Sequence, residues 1–243
     1  MKKAMIFAAG LGTRLKPLTD NKPKALVEVN GMPLIEIVIK QLIKFGFTEI
    51  IINVHYYASQ IIDFVKNNKS FGANIHFSDE TDKLLGTGGG LKKAEHFFND
   101  EPFLVHNVDI ISDIDLDDLY NYHINNEALA TLAVRSRKTS RYFLFDDKLS
   151  LCGWKNFKTN DIKIAKPPLS KLTPIAFSGI QIISPEIFQY INNKSAFSIT
   201  DIYITLAGRY LISAYKHDNT FWMDIGKPIN IVKAEKHLSG ILK

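Results

Sequence analysis

Residues 4–19 and 22–26 read Ala4-Met5-Ile6-Phe7-Ala8-Ala9-Gly10-Leu11-Gly12-Thr13-Arg14-Leu15-Lys16-Pro17-Leu18-Thr19, then Lys22-Pro23-Lys24-Ala25-Leu26. Ala4 to Ala9 is a continuous apolar run that stops at Gly10, the pattern of a strand buried on both faces of a parallel sheet. A glycine turn and a basic stretch follow. Glycines let a backbone come close to a ligand and aim several N–H groups at one anion. Arg14 can clamp phosphate oxygens with two parallel bonds, and Lys24 adds a point charge. Ala8, Ala9, Gly10, Gly12, Thr13, Arg14 and Lys24 are the candidate nucleotide-binding residues of this segment.

Working outward, strand and helix patterns alternate. Leu34 to Phe45 has helical spacing and ends at Gly46, Glu49 to Val54 is a second buried strand, and Ile61 to Val65 marks a helix. Ile75 to Phe77, Pro102 to Val105 and Ala128 to Val134 read as strands, with helices at Gly90 to Phe98 and Asp115 to Asn125. This order predicts βαβ units, a mixed, mainly parallel sheet flanked by helices, and ligands at the carboxyl ends of strands. Residues 140–172, including Pro167-Pro168, read as a meander. Ile175 to Ile183 is a strand interrupted by Gly179, and Ser184-Pro185 and Ser198-Ile199-Thr200-Asp201 open helices. Ile212 to Tyr215 predicts a strand, Thr220 to Met223 is strand-like, and Pro228 to Leu238 predicts a helix. We read one domain, residues 1–243, with halves 1–135 and 136–243.

Composition narrows the function classes. The 243 residues are 46% hydrophobic and 23% charged, which excludes wholesale disorder. One cysteine, Cys152, excludes an internal disulfide framework and a Cys-based zinc site. No stretch approaches the roughly 20 apolar residues of a membrane span. The expected location is the cytoplasm, without membrane or nucleic-acid partners, as a monomer or small homo-oligomer. The net charge of +5 has a location. Arg14, Lys16, Lys22 and Lys24 cluster around the glycine turn against Asp20 alone. Seven acids between Asp100 and Asp118 face no Lys or Arg in that span. No basic face with interleaved aromatics suggests nucleic acid.

Two familiar glycine loops are absent. Leu15 stands where the dinucleotide fingerprint needs its third glycine, and Gly86-Thr87-Gly88-Gly89-Gly90 is followed by Leu91 where a P-loop needs Gly. The segment AAGLGTRLKPLT…KPKAL instead resembles the signature GxGTRxxPLT…KPK of the sugar-1-phosphate nucleotidyltransferases. Leu85-Gly86-Thr87-Gly88-Gly89-Gly90, Asn107-Val108-Asp109, Phe177-Ser178-Gly179-Ile180 and Trp222-Met223-Asp224-Ile225-Gly226 match that family in order. The resemblance, closest in form to the short N-acetylmuramate-1-phosphate uridylyltransferases, implies a Rossmann-like sheet, an NTP, a sugar 1-phosphate and Mg²⁺. It implies metal binding by Asp109 and Asp224, base recognition at Gly86, Thr87 and Gly88, sugar binding at Gly179, and catalytic roles for Arg14, Lys24 and Asp109.

From the residues alone, Gly179 is as readily a bulge, and Asp79 or Glu80 either meets a base N–H or is exposed. Asn53 and His55 are candidates for the cleft wall. Asp113, Asp115, Asp117 and Asp118 read as helix-capping and solvent-facing acids. The expected reaction is NTP plus sugar 1-phosphate giving NDP-sugar and pyrophosphate, with UTP as donor and N-acetylmuramate 1-phosphate among the acceptors. Rival readings are a mannose- or heptose-phosphate guanylyltransferase, a phosphocholine cytidylyltransferase whose choline cage would use Trp154 or Trp222, and a non-catalytic nucleotide-sugar sensor.

Overall fold

The apolar run after the N-terminus forms strand β1 (Lys2–Phe7), with Ala4, Met5 and Ile6 fully buried. Ala8 and Ala9 lie past the strand yet stay buried. The structure, a computed structural model, describes residues 1–167, 171–191 and 196–241, with side chains through residue 237. Pro168 lies outside the described residues. After β1 come β2 (Glu28–Val29), β3 (Met32–Pro33), α1 (Leu34–Lys44), β4 (Phe47–Val54), α2 (Ala58–Asn67) and β5 (Asn74–Asp79). Then follow α3 (Gly86–Lys93), β6 (Phe103–Asn107), β7 (Ile110–Ser112), α4 (Leu116–Asn125), β8 (Ala130–Arg135), β9 (Arg141–Phe145) and β10 (Leu151–Asn156). The chain closes with β11 (Ile162–Ile164), β12 (Thr173–Ile183), α5 (Ile199–Leu206), β13 (Ile212–Lys216), β14 (Trp222–Asp224) and α6 (Pro228–Ile241).

These elements pack as two compact units. The first comprises Met1–Leu84, His106–Ile114 and Phe221–Lys243; the second comprises Leu85–Val105 and Asp115–Thr220. In the first, β4 lies parallel to both β1 and β5, with Ile6 opposite Ile52 and Ile52 opposite Phe77. Leu34, Ile35, Val38, Ile39 and Leu42 of α1 are buried at helical spacing. Gly46, with φ +77°, ends that helix as expected, since a left-handed residue is what lets the chain turn off it. Strand β14 returns antiparallel to β7, setting Asp224 opposite Ile110.

In the second unit, β12 runs antiparallel to β8 and β9, β9 to β10 and β10 to β11, while β13 is parallel to β8. The α/β class with a mixed sheet flanked by helices is thus the observed one, and the region read as a meander is this antiparallel set. Two helix expectations shift. The helix expected from Gly90 to Phe98 starts at Gly86, inside the glycine run, and stops at Lys93; a 3-10 turn at Glu95–Phe97 follows. The element opened by Ser184-Pro185 is a 3-10 helix, Pro185–Tyr190.

Candidate active site

In the first unit, the chain leaving β1 is tied down before it reaches the glycines. The Ala8 N–H donates to Asn53 Oδ1 at 2.8 Å, and Asn53 Nδ2 donates to Glu80 Oε1 at 2.7 Å. The Glu80 carbonyl meets His55 Nδ1 at 2.7 Å. Ala8 is a candidate nucleotide-binding residue, and its amide is engaged by Asn53. Glu80 was a candidate for a base contact or for solvent; it is 1% exposed and braces Asn53 instead. Asp79, its neighbour, is exposed and accepts the Thr81 N–H. The bracing role of Glu80 is one that sequence reasoning missed, because an acid beside an acid in a turn gives no sign of which is buried.

Beyond Ala9 the loop opens. A Cβ on Gly10 would meet nothing within 4 Å. Gly12 adopts φ +66° and caps the 3-10 turn Thr13–Leu15. Its carbonyl accepts the Leu15 N–H and the Thr19 hydroxyl, each at 2.9 Å. A Cβ there would lie 3.1 Å from both Lys24 Cβ and Thr19 Cγ2, so the glycine allows the loop to fold closely onto Lys24. Lys24 is itself 9% exposed, and its ammonium is ion-paired with the Asp109 carboxylate. Asp109 follows β6, and the Val108 N–H donates to the Phe7 carbonyl at 3.1 Å, fixing this turn beside β1.

Asp224 reaches the same neighbourhood through backbone pairing. The Ile225 N–H donates to the Asp109 carbonyl at 2.7 Å, next to the Asp224–Ile110 pair. Arg14 crowds the turn that follows. A Cβ added to Gly226 would fall 2.7 Å from Asp224 Oδ1 and 2.8 Å from Arg14 Nη2. Gly10, Leu11, Gly12, Thr13, Arg14, Lys24, Asp109 and Gly226 line one cavity of about 400 Å³. Its lining gathers the glycine loop, the cations Arg14 and Lys24 and the Asp109 carboxylate paired with Lys24, a chemistry suited to a polyphosphate. Mg²⁺ takes hard oxygen ligands and is commonly held by one or two carboxylates plus substrate phosphates. Asp109 lines the cavity and Asp224 belongs to the backbone pair beside it, carboxylates of the kind that suits such an ion, although no group of three or more His, Cys, Asp or Glu gathers among the described residues.

His106, near Asp109 in the chain, is fully buried; desolvation outweighs the Asn107 carbonyl and the Asp109 charge and lowers its pKa to about 4. It is a neutral imidazole at ordinary pH. Among the other acids of this region Asp115 caps a helix, while Asp113 and Asp118 hold the Phe221 amide and the Tyr215 hydroxyl. Asp115 accepts the Asp117 and Asp118 amides at 2.9 Å, and Asp113 Oδ1 accepts the Phe221 N–H at 2.7 Å.

The remaining candidates lie in the second unit. Gly86, Thr87 and Gly88 are engaged by another stretch of chain. The Phe197 N–H donates to Leu85 O at 3.1 Å, the Gly88 N–H to Phe197 O at 3.0 Å, and the Ile199 N–H to Thr87 Oγ1 at 3.0 Å. A Cβ on Gly86 would sit 2.7 Å from Phe197 O, and one on Gly88 2.2 Å from Phe197 Cε2. The Gly88 amide, expected to meet a nucleotide, is thus spent on Phe197. Gly179, with φ +81°, occupies a bulge in β12: the register passes from Phe177↔Val134 to Gln181↔Leu132. Cys152 is buried and free, and burial raises its thiol pKa. No helix among the described residues is long and apolar enough to cross a membrane.

Comparison with known proteins adds to this geometry. Residues 3–240 match the nucleotidyl transferase family. An N-acetylmuramate alpha-1-phosphate uridylyltransferase of Neisseria meningitidis serogroup B is 31% identical, the alignment covering 96% of each chain. A mannose-1-phosphate guanyltransferase of Yarrowia lipolytica is also 31% identical over 93% of this chain, which spans only 61% of that relative. Among solved structures, HddC from Yersinia pseudotuberculosis complexed with GMP-PN superposes with a TM-score of 0.77 at 24% identity, covering 98% of this chain and 100% of that one. A UTP-bound UGPase from Acinetobacter baumannii gives 0.78 at 19% identity, covering 98% and 93%. At these identities the structures establish a shared fold.

Proposed function

The chain belongs to the nucleotidyl transferase family, and on that premise we propose that it joins an NTP, UTP in the first instance, to a sugar 1-phosphate of the N-acetylmuramate type. A phosphate oxygen of the sugar attacks the α-phosphorus in line, the bond from that phosphorus to the β-phosphate bridge breaks, and pyrophosphate leaves. A phosphate monoester is already anionic near neutrality, so no general base is needed. Catalysis then consists of positioning and charge stabilisation.

The observation that carries this reading is the cavity in which Gly10, Gly12, Arg14 and the Lys24–Asp109 pair meet. Arg14 and the amides after Ala9 hold the triphosphate and the departing pyrophosphate. Lys24 neutralises charge around the α-phosphate and the incoming phosphate. Asp109 and Asp224 would hold Mg²⁺, whose chemistry here is to neutralise phosphate oxygens. The uridylyltransferase relative, 31% identical over 96% of this chain, supports UTP as the donor, and the guanyltransferase at the same identity keeps GTP in the comparison. The cavity beside Trp154 weighs against choline. Arg137 and Arg141 line it, and no Asp or Glu does, whereas a quaternary ammonium calls for acids or bare aromatic faces. A cytoplasmic role in making a precursor of cell-wall or surface polysaccharide follows from this reading.

Pyrophosphate release measured with four NTPs and a panel of sugar 1-phosphates in Mg²⁺ tests it. Turnover is expected, highest with UTP. Lys24→Ala and Asp109→Asn should each lower the rate about 10²–10³-fold while the far-UV spectrum stays native. Ligand binding without pyrophosphate release would instead identify a nucleotide-sugar sensor.

A further inference from the structure

The second unit carries a concavity that the phosphate chemistry above does not use. Its floor comes from strand register. Trp154 of β10 is paired with Phe143 of β9, and Phe143 with Ile175 of β12. Cross-strand partners project from the same face of a sheet, as do residues two apart along a strand. Trp154, Phe143 and Phe177 therefore share one face, with Arg141 at its edge. These residues, with Arg137 and Thr200, line a cavity of about 230 Å³. Phe143 is buried and edge-on to Phe177 at 6.0 Å between ring centroids, while Trp154 and Phe177 are half-buried.

The rim is cationic and held in place. Arg137 Nη2 donates to the Phe177 carbonyl at 2.9 Å, and the Tyr142 hydroxyl donates to the Arg137 carbonyl at 3.1 Å. Tyr142 also accepts the Thr139 N–H at 3.0 Å, which pins the segment carrying Arg137. Arg141 is exposed, and no hydrogen bond or ion pair engages its side chain among the described residues. The neighbouring Lys163 is paired with Asp201 at 2.7 Å, so that acid is committed outside the lining.

Aromatic faces suit the apolar faces of a pyranose ring, a hydroxyl such as that of Thr200 suits its substituents, and a guanidinium without a partner suits a carboxylate. A lining that carries the unengaged Arg141 guanidinium and no Asp or Glu selects against neutral and cationic ligands. We propose that this concavity recognises the carboxylate of an acidic sugar, with Arg141 as the residue that reads it and Trp154, Phe143 and Phe177 as the surface on which the ring lies. The inference rests on the acceptor being a sugar 1-phosphate.

The test compares two acceptors that differ in the acidic group: N-acetylmuramic acid 1-phosphate and N-acetylglucosamine 1-phosphate. With UTP and Mg²⁺, kcat/KM should favour the carboxylated sugar. Arg141→Gln should cut that preference about 10–10²-fold, mainly through KM, and Arg141→Lys should restore part of it. Equal use of the two sugars by the unmodified protein, or an unchanged preference in Arg141→Gln, overturns the proposal. A loss of the same size on both sugars also overturns it, since it would make Arg141 a reader of the common phosphate. Calorimetric titration with free N-acetylmuramic acid and free N-acetylglucosamine keeps the two readings apart. If no NTP releases pyrophosphate but the acid alone binds, and binds more weakly to Arg141→Gln, the transferase reading fails and the carboxylate site stands. If turnover occurs without preference for the acid, the site fails and the transferase stands.

Discussion

Replacing Gly226 by alanine separates the placement of Arg14 from the stability of the fold. The backbone there does not require glycine, since its φ lies outside the left-handed region. The added methyl would instead lie 2.7 Å from Asp224 Oδ1 and 2.8 Å from Arg14 Nη2. Asp224 is a short side chain on β14 whose carbonyl accepts the Asn230 amide at 2.7 Å, so it has little room to move. Arg14 is long and exposed, and its guanidinium gives way first. Ordinary contact begins at 3.4 Å, so Nη2 must retreat by at least about 0.6 Å from its 2.8 Å position. Folding should hardly notice. A Gly-to-Ala change at a compatible site gains about 0.4–1 kcal/mol through the unfolded chain, which offsets the local crowding. The melting temperature should therefore stay within about 4 °C. Turnover should notice more, because a misplacement near 1 Å can cost about 10²-fold. We expect pyrophosphate release to fall about 10–10²-fold in kcat/KM, equivalent to about 1.4–2.7 kcal/mol. Adding Gly226→Ala to Arg14→Ala should cost nothing further, since both act on one group. A folded Gly226→Ala protein with kcat/KM within twofold of the unmodified one would refute the placement of Arg14, and so would full additivity with Arg14→Ala.

Other outcomes follow from the same geometry. Gly88→Ala places a methyl 2.2 Å from the Phe197 ring and must expel it; the expected cost is about 1–3 kcal/mol, and a melting temperature equal to the unmodified protein's would count against this packing. Asn53→Ala removes the acceptor of the Ala8 N–H and the donor to Glu80, so chemical denaturation should show a loss of about 1–3 kcal/mol. His123 is buried with a pKa lowered to about 4, so the unfolded chain binds more protons than the folded one between that value and its ordinary 6.5. Its stabilising contribution is complete above about pH 6.5 and is lost as the pH falls through about 4. Melting curves from pH 7.5 to 4.5 should slope accordingly, and less steeply in His123→Asn; identical slopes would exclude His123 as a source.

What could be read from the sequence depended on whether the deciding interaction was local. The β1 run and the α1 stripe were legible because burial of one element imposes its own period on the chain. Asp115 was legible as a cap because its partners, Asp117 and Asp118, are two and three residues away. The start of α3 was not. Gly86 to Gly89 has low helix propensity, so the expected helix begins only at Gly90. The helix starts earlier because Phe197, more than 100 residues downstream, bonds its first turn. Glu80 was illegible for the same reason: its burial depends on Asn53, 27 residues before it. The aromatic floor of the second unit needs the register of three strands, which no local pattern specifies.

The two glycine segments show how one sequence signal divides into different physical causes. In both, glycine marks a close approach to backbone, but the approaching groups differ. At Gly12 the approach is by Lys24 and Thr19, and at Gly86 and Gly88 it is by Phe197; a methyl at any of these three would strike protein. Gly10 alone of this set faces open space within 4 Å, and it lines the cavity with Arg14, Lys24 and Asp109. Three of the four glycines are therefore accounted for by packing, and only Gly10 lacks a protein neighbour to explain the missing side chain. The phosphate-binding argument accordingly rests on Gly10 and on the charges that surround it, rather than on the number of glycines in either motif. The charges satisfy the same criterion: Lys24 and Asp109, 85 residues apart, are brought together beside that glycine. No local capping or packing need accounts for that pair.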